Sequence, residues 1–193
     1  MVAKLYFRYG AVDSSKTSDL LQVRHNYLKQ KKHVLLVKPA IDTRMGDPTL
    51  VFSRVGISAK ADIIASSSTN LFGLLKNMDG PISCVLVDEV QFFTVDQIEQ
   101  LRHIATFLSI PVICYGLRTT YKGELFEASA RLFALADSLE EMKNTCWFCN
   151  RKSIMSLKVD ANGKAVRQGS SEPEVGFEDK YLPTCYFHFQ TQL

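Results

Sequence analysis

Three groups of residues in this chain have the types and spacing to do chemistry. The first is Gly10-Ala11-Val12-Asp13-Ser14-Ser15-Lys16-Thr17, set between an apolar run and a helical pattern. A loop in that place can surround the β- and γ-phosphates of a nucleotide with backbone N–H groups and a helix N-terminus. The lysine would reach the phosphate oxygens and the hydroxyl residue would ligate Mg²⁺. Ser15 breaks the G-x-x-x-x-G-K-[ST] pattern where its second glycine is expected, and a Cβ there could crowd the phosphates. From the loop alone, an ordinary strand-to-helix turn capped by Asp13 or Ser14 reads equally well. The second group is Cys84-Val85-Leu86-Val87-Asp88-Glu89, a buried-strand pattern that ends in two acids. At the C-terminal end of a parallel strand Asp88 could hold Mg²⁺ and Glu89 could accept a hydroxyl proton. Such acids standing alone begin a loop or cap a helix; their weight comes from pairing with Lys16 and Thr17.

The third group is Cys146-x-x-Cys149 with Cys185-x-x-His188. Zinc takes four tetrahedral nitrogen and sulfur ligands, and these two pairs supply four. With every position filled by protein the ion would be structural, and Trp147, between two ligands, is placed to cover it. The other two of the five cysteines, Cys84 and Cys114, sit in apolar runs and read as small core residues. His25, His33 and His103 have no paired partner in the sequence and read as surface or packing residues.

Elements must bring these groups together. Short apolar runs at 5–9, 33–38, 84–87 and 112–115 read as strands. Leu20, Leu21, Val23, Tyr27 and Leu28 fit one helical face, as do Ile98, Leu101, Ile104 and Leu108, and a third helical pattern runs from 125 to about 135. This alternation predicts an α/β fold: a parallel sheet of the P-loop type with flanking helices. The texture changes after 138. Stretches 153–159 and 164–168 flank Asn162-Gly163, a hairpin-turn dipeptide, and a polar loop follows from Gly169 to Pro173. The predicted organisation is a nucleotide-binding α/β domain over 1–143 and a small zinc-binding β module with its loop over 144–193.

The bulk composition excludes several classes. With 193 residues, 46% hydrophobic and 22% charged, the chain has the make-up of an ordinary globular protein. No stretch approaches the roughly 20 apolar residues of a spanning helix, and the N-terminus lacks a signal-type apolar run, so no membrane association and a cytoplasmic location are expected. A net charge of +3, with basic residues scattered apart from Lys29, Lys31 and Lys32, gives no footprint for nucleic acid.

Taken in order, these motifs resemble the thymidine kinases of type II over essentially the whole length. The resemblance rests on Leu5-Tyr6-Phe7 leading into Gly10 to Thr17, then Asp42-Thr43-Arg44, Ser53-Arg54-Val55-Gly56 and Asp88-Glu89-Val90-Gln91-Phe92-Phe93. Cys114-Tyr115-Gly116-Leu117-Arg118-Thr119, Gly123-Glu124-Leu125-Phe126 and the zinc pairs follow. It implies phosphoryl transfer from ATP to the 5′-hydroxyl of thymidine, with Glu89 as catalytic base and Mg²⁺ held by Thr17 and Asp88. It further implies that Asp42, Arg44 and Gln91 belong to the cofactor side, beside Gly10 to Thr17. Phe92, Leu117, Tyr121 and Phe126 would surround thymine. Pro173, Glu174, Val175 and Gly176, with Tyr181, would form a lasso over the nucleoside, anchored by the zinc module. A homotetramer is implied as well. The chain departs from the family pattern at Ser15 (usually glycine), Val90 (a small residue), Thr120 (aspartate), Tyr121 (phenylalanine) and Phe177 (glycine), which leaves a catalytically lapsed relative as the alternative.

Overall fold

A computed structural model describes residues 2–42, 47–166 and 181–192. Its centre is a six-stranded sheet in the order β5-β2-β6-β7-β1-β8, formed by β1 (Leu5–Gly10), β2 (Val34–Pro39), β5 (Ile63–Ala65), β6 (Cys84–Val87), β7 (Val112–Leu117) and β8 (Ser138–Glu141). Every neighbouring pair in it is parallel. The four central strands and the helices α1 (Lys16–Lys29), α3 (Val95–Phe107) and α4 (Glu127–Leu135) lie where the apolar patterns predict them.

Alternation along the strands divides the core in two. Leu5, Phe7, Leu35, Val37, Val85, Val87, Val112 and Cys114 face α3, α4 and α2 (Leu71–Lys76), meeting Leu71, Ile98, Leu101, Ile104 and Leu132. Val34, Leu36, Cys84, Leu86 and Tyr115 face the other way, onto Leu20 and Leu21 of α1. Cys84 and Cys114 are both fully buried thiols, as their apolar settings require, and burial pushes Cys84 up to about 11. The start of α3 is fixed by a capping box in which the Thr94 hydroxyl accepts from Gln97 N–H and the Gln97 carboxamide accepts from Thr94 N–H.

Two short additions lie outside the main sheet. β3 (Leu50–Phe52) and β4 (Ser58–Lys60) form a hairpin beside α1. β9 (Met155–Lys158) pairs antiparallel with β10 (Tyr181–Thr184), ahead of α5 (Tyr186–Thr191). The sequence predicts 164–168 as the partner of 153–159. A tight turn with Gly163 at φ +77° does form, and among the described residues the Val159–Ala165 bridge and the Val166 N–H to Lys158 carbonyl bond join those stretches. The pairing that continues β9 comes from 181–184. Among the described residues no helix is long and apolar enough to cross a membrane.

Parallel strands all end on the same edge, so the segments after β1, β2, β6 and β7 converge there. One buried charge stiffens that edge. The Lys38 ammonium at the end of β2, only 2% exposed, lies 3.4 Å from Asp42 and donates to the Leu50 carbonyl of β3 at 3.0 Å. Removing one partner of such a pair leaves the other charge buried. Lys38→Met should cost about 3 kcal/mol. In thermal unfolding this lowers the midpoint by roughly 6–12 °C for a chain of this size. A midpoint unchanged within error would show that Asp42 does not depend on Lys38.

Candidate functional site

The phosphate-loop segment runs directly from β1 into α1. Gly10 has to be glycine on space alone: a Cβ there would lie 2.6 Å from the Met142 carbonyl oxygen and closer still to the Ser14 hydroxyl. Ser15, in the left-handed region at φ 60°, is the N-cap of α1 and gives it no side-chain cap. Neither Asp13 nor Ser14 takes the capping place at the start of α1. Ser14 is buried and accepts instead from Lys16, whose ammonium also donates to the Ala11 carbonyl at 2.7 Å.

Across the strand ends, Thr17 Oγ1 lies 3.4 Å from Asp88 Oδ2. Asp88 is 5% exposed and its N–H is bonded to the Val37 carbonyl, which fixes it to β2. Glu89 follows with φ 48° and ψ 42°, a left-handed conformation that costs an ordinary residue about 1–2 kcal/mol. It starts a single 3₁₀ turn, Val90–Phe92, whose Phe92 N–H returns to the Glu89 carbonyl. Gln91 is buried; its carboxamide donates to Glu89 Oε2 and accepts from Leu117 N–H. Asp42, after β2, is paired with Lys38. Thr17, Asp88, Glu89, Gln91 and Leu117 are thus linked by contact, whereas Arg44 lies outside the described residues.

On the expected nucleoside side, Phe92 and Phe126 meet edge to face with centroids 6.1 Å apart. Tyr121 is buried, yet its ring is not in purely apolar surroundings: the Lys158 ammonium lies 4.9 Å and that of Lys122 5.9 Å from its centroid. Lys158 pairs with Tyr181 in the β9–β10 register, which brings Tyr181 toward the same wall. Pro173, Glu174, Val175 and Gly176, together with Phe177, lie outside the described residues.

Cys146, Cys149, Cys185 and His188 form one cluster whose ligand atoms all lie within 4.8 Å of one another. Cys146 and Cys185 sulfurs are each 3.4 Å from His188 Nδ1, and the Cys149 and Cys185 sulfurs are 3.9 Å apart. Donors around a tetrahedral zinc sit about 3.5–3.8 Å from one another, so the set fits the ion. Burial opposes ionisation of Cys146, but backbone N–H groups of Cys185 and Phe148, with His188, hold its thiol at about 6, already suited to a thiolate ligand. Trp147 does not cover the cluster: it is 65% exposed, and the rings against His188 are those of Phe148 and Phe187, with centroids 5.4 and 5.2 Å away.

Several residues that sequence reasoning passed over join these parts. The Ser156 hydroxyl of β9 accepts the Val12 N–H of the phosphate loop at 3.1 Å, and Asn144 donates to the Asp13 carbonyl at 3.1 Å. Arg54, in the β3–β4 turn, pairs with Asp13 at 2.5 Å. The Arg118 guanidinium at the end of β7 donates to the Ile154 carbonyl beside β9. A serine in a short strand carries no sequence signal for such a contact; Arg54 and Arg118 stand in the quoted motifs without a stated role.

A family profile described as thymidine kinase matches residues 3–189. The chain is 43% identical over 184 residues to a thymidine kinase of Listeria monocytogenes serotype 4b, covering 95% of each chain. It is 43% identical over 190 residues to a thymidine kinase of Novosphingobium aromaticivorans, covering 97% of each. To one of Rhodopirellula baltica it is 41% identical over 191 residues, covering 98% of this chain and 89% of the relative.

Two substitutions test this geometry. Cys149→Ser should release stoichiometric zinc as measured with a chromogenic chelator, and retention of one tightly bound zinc per chain would refute the four-ligand cluster. Ser15→Gly relieves a left-handed Cβ worth about 1–2 kcal/mol but adds roughly 0.5–1 kcal/mol of glycine entropy. The net of about 0–1.5 kcal/mol should therefore raise the thermal midpoint by no more than about 6 °C.

Proposed function

This chain belongs to the thymidine kinase family, and from that membership we infer that it transfers the γ-phosphate of ATP to the 5′-hydroxyl of thymidine. The product is thymidine monophosphate, made by nucleotide salvage. The observation that carries the reading to atomic level is the meeting of Thr17 with Asp88, one residue before Glu89, at the shared end of β1 and β6. Phosphoryl transfer asks for little covalent chemistry from the protein and much positioning of charge.

Each residue then has a task. The N-terminus of α1 and the backbone from Gly10 to Ser15 hold the phosphates, and Lys16 turns from the Ala11 carbonyl to their oxygens. Thr17 and Asp88 offer two hard oxygen donors on facing sides, a set that suits Mg²⁺, and the ion supplies charge neutralisation on the triphosphate. Glu89 takes the proton of the 5′-hydroxyl as its oxygen bonds to the γ-phosphorus and ADP leaves. Asp42 and Arg44 belong to the phosphate side. Phe92, Leu117, Tyr121 and Phe126 hold thymine, and the segment with Pro173, Glu174, Val175, Gly176 and Tyr181 closes over the nucleoside and excludes water. Residues 144–193 form the zinc-and-lasso unit, and the zinc is structural. The enzyme works in the cytoplasm as a homotetramer, with no nucleic-acid partner. The lapsed-relative alternative that Ser15 suggested gains no support from the relatives, which carry the thymidine kinase name throughout.

The reading is tested by transfer of labelled γ-phosphate from Mg-ATP to thymidine with zinc-loaded protein. Glu89→Gln should lower turnover by about 10²–10⁴-fold while nucleotide binding stays intact. Turnover unaffected by the substitution would remove Glu89 from the base role.

A further inference from the structure

A general base works only if its carboxylate is held at the correct angle and reach, and Glu89 starts from an unfavourable place. It is half-buried at a chain reversal, on a left-handed backbone, with no strand or α-helix of its own. The side chain two residues on supplies what the backbone lacks. Gln91 is 4% exposed, and both ends of its carboxamide are engaged. Oε1 accepts the Leu117 N–H at 2.9 Å, and Nε2 donates to Glu89 Oε2 at 2.5 Å. The Leu117 N–H can only donate, so it fixes which end of the amide turns toward Glu89. That end carries the donor an ionised carboxylate requires.

The anchor is itself built in. Leu117 ends β7, in register with Gly10 of the phosphate loop. Its carbonyl accepts the hydroxyl of Ser129, a fully buried residue of α4, at 2.6 Å. Gly116 leaves the space the amide occupies: a Cβ there would stand 2.6 Å from Gln91 Oε1 and 2.8 Å from a Val90 methyl. From α4 through Leu117 to Gln91, a line of hydrogen bonds with two backbone members ends on one oxygen of Glu89.

We propose that Gln91 is a positioning residue for the Glu89 base: its carboxamide, fixed by the Leu117 N–H, holds Oε2 and so sets the orientation of the carboxylate. The proposal rests on the assignment of Glu89 as base. It gives Gln91 a role on the acceptor side of the reaction, where the resemblance had put it with the cofactor. A positioning role predicts a loss in kcat with the binding of both substrates preserved, because the tether touches the base and neither substrate.

The experiment is a double-mutant cycle on the full-length, zinc-loaded chain, with circular dichroism and zinc content showing that each variant is folded. Gln91→Met keeps the length and removes both hydrogen bonds; Gln91→Leu is a second apolar replacement in case the first packs poorly. Either should lower kcat by about 10- to 100-fold, the scale of a misplaced catalytic group, with KM for ATP and thymidine within about threefold. On the Glu89→Gln background the same substitution should change the residual kcat by less than about twofold, because the group it positions is gone. An unchanged kcat in the single variants would overturn the proposal. So would an equal loss on both backgrounds, which marks a general structural defect. If Glu89→Gln itself leaves kcat intact, the base assignment fails first, and that result is read from a different protein than the Gln91 test.

Discussion

The shared direction of the central strands is the constraint on which the site depends. Because β1, β2, β6 and β7 run parallel, their C-terminal ends open on one edge. Lys16-Thr17, Lys38 with Asp42, Asp88-Glu89 and Leu117 come from four distant stretches of sequence, and parallel pairing alone delivers them to the same side. An antiparallel neighbour at any of these positions would send one group to the opposite end of the sheet. The two-sided core explains why the order is stable: residues of alternate parity on each strand pack against α1 on one face and against α2, α3 and α4 on the other.

The segment that carries the Cys/His cluster is joined to this edge by a few polar contacts. Ser156 holds Val12 N–H, Asn144 holds the Asp13 carbonyl, and Arg118 reaches from β7 to the Ile154 carbonyl. The four candidate metal ligands come from the turn before β9 and from the start of α5 after β10, so a bound ion would tie the two strands together at the Met155–Thr184 end of their pair. That pair carries Ser156 to the phosphate loop and Lys158 to Tyr121. A metal held by these four side chains would therefore link strand pairing mechanically to the geometry of the phosphate loop.

Much of this was legible in the sequence because it is written in local patterns. Apolar runs point to β2 and β6, helical spacing to α1 and α3, and two chelating pairs to a cluster that does assemble. What was missed has weak local signals. β8 reads Ser-Leu-Glu-Glu and is a strand only because it lies along the edge of β1, and β5 and α2 are too short for a period to emerge. β10 is hidden because it pairs with β9 from more than twenty residues away, beyond the nearer hairpin turn. The Gln91 amide and the Ser156 hydroxyl are tertiary choices. A glutamine after an acid pair reads as surface until the Leu117 N–H is known to face it.

Backbone strain in the described residues is concentrated where the chemistry is placed. Five residues other than glycine have positive φ, and two of these, Lys31 and Ser109, sit just past the ends of α1 and α3, where left-handed residues commonly end helices. The other three are Asp13, Ser15 and Glu89. Each costs about 1–3 kcal/mol, so something in the surroundings has to over-determine it. Asp13 is held by Arg54 through its carboxylate and by Asn144 through its carbonyl. Glu89 is held by the 3₁₀ turn and by Gln91. Ser15 has the helix itself, whose first turn begins with Asp19 N–H on the Ser15 carbonyl. A glycine would adopt that angle without strain, but the turn does not need one, because the helix behind it and the loop contacts ahead of it leave the residue no other conformation. The broken glycine pattern is thus a change in local strain rather than a loss of the loop's shape.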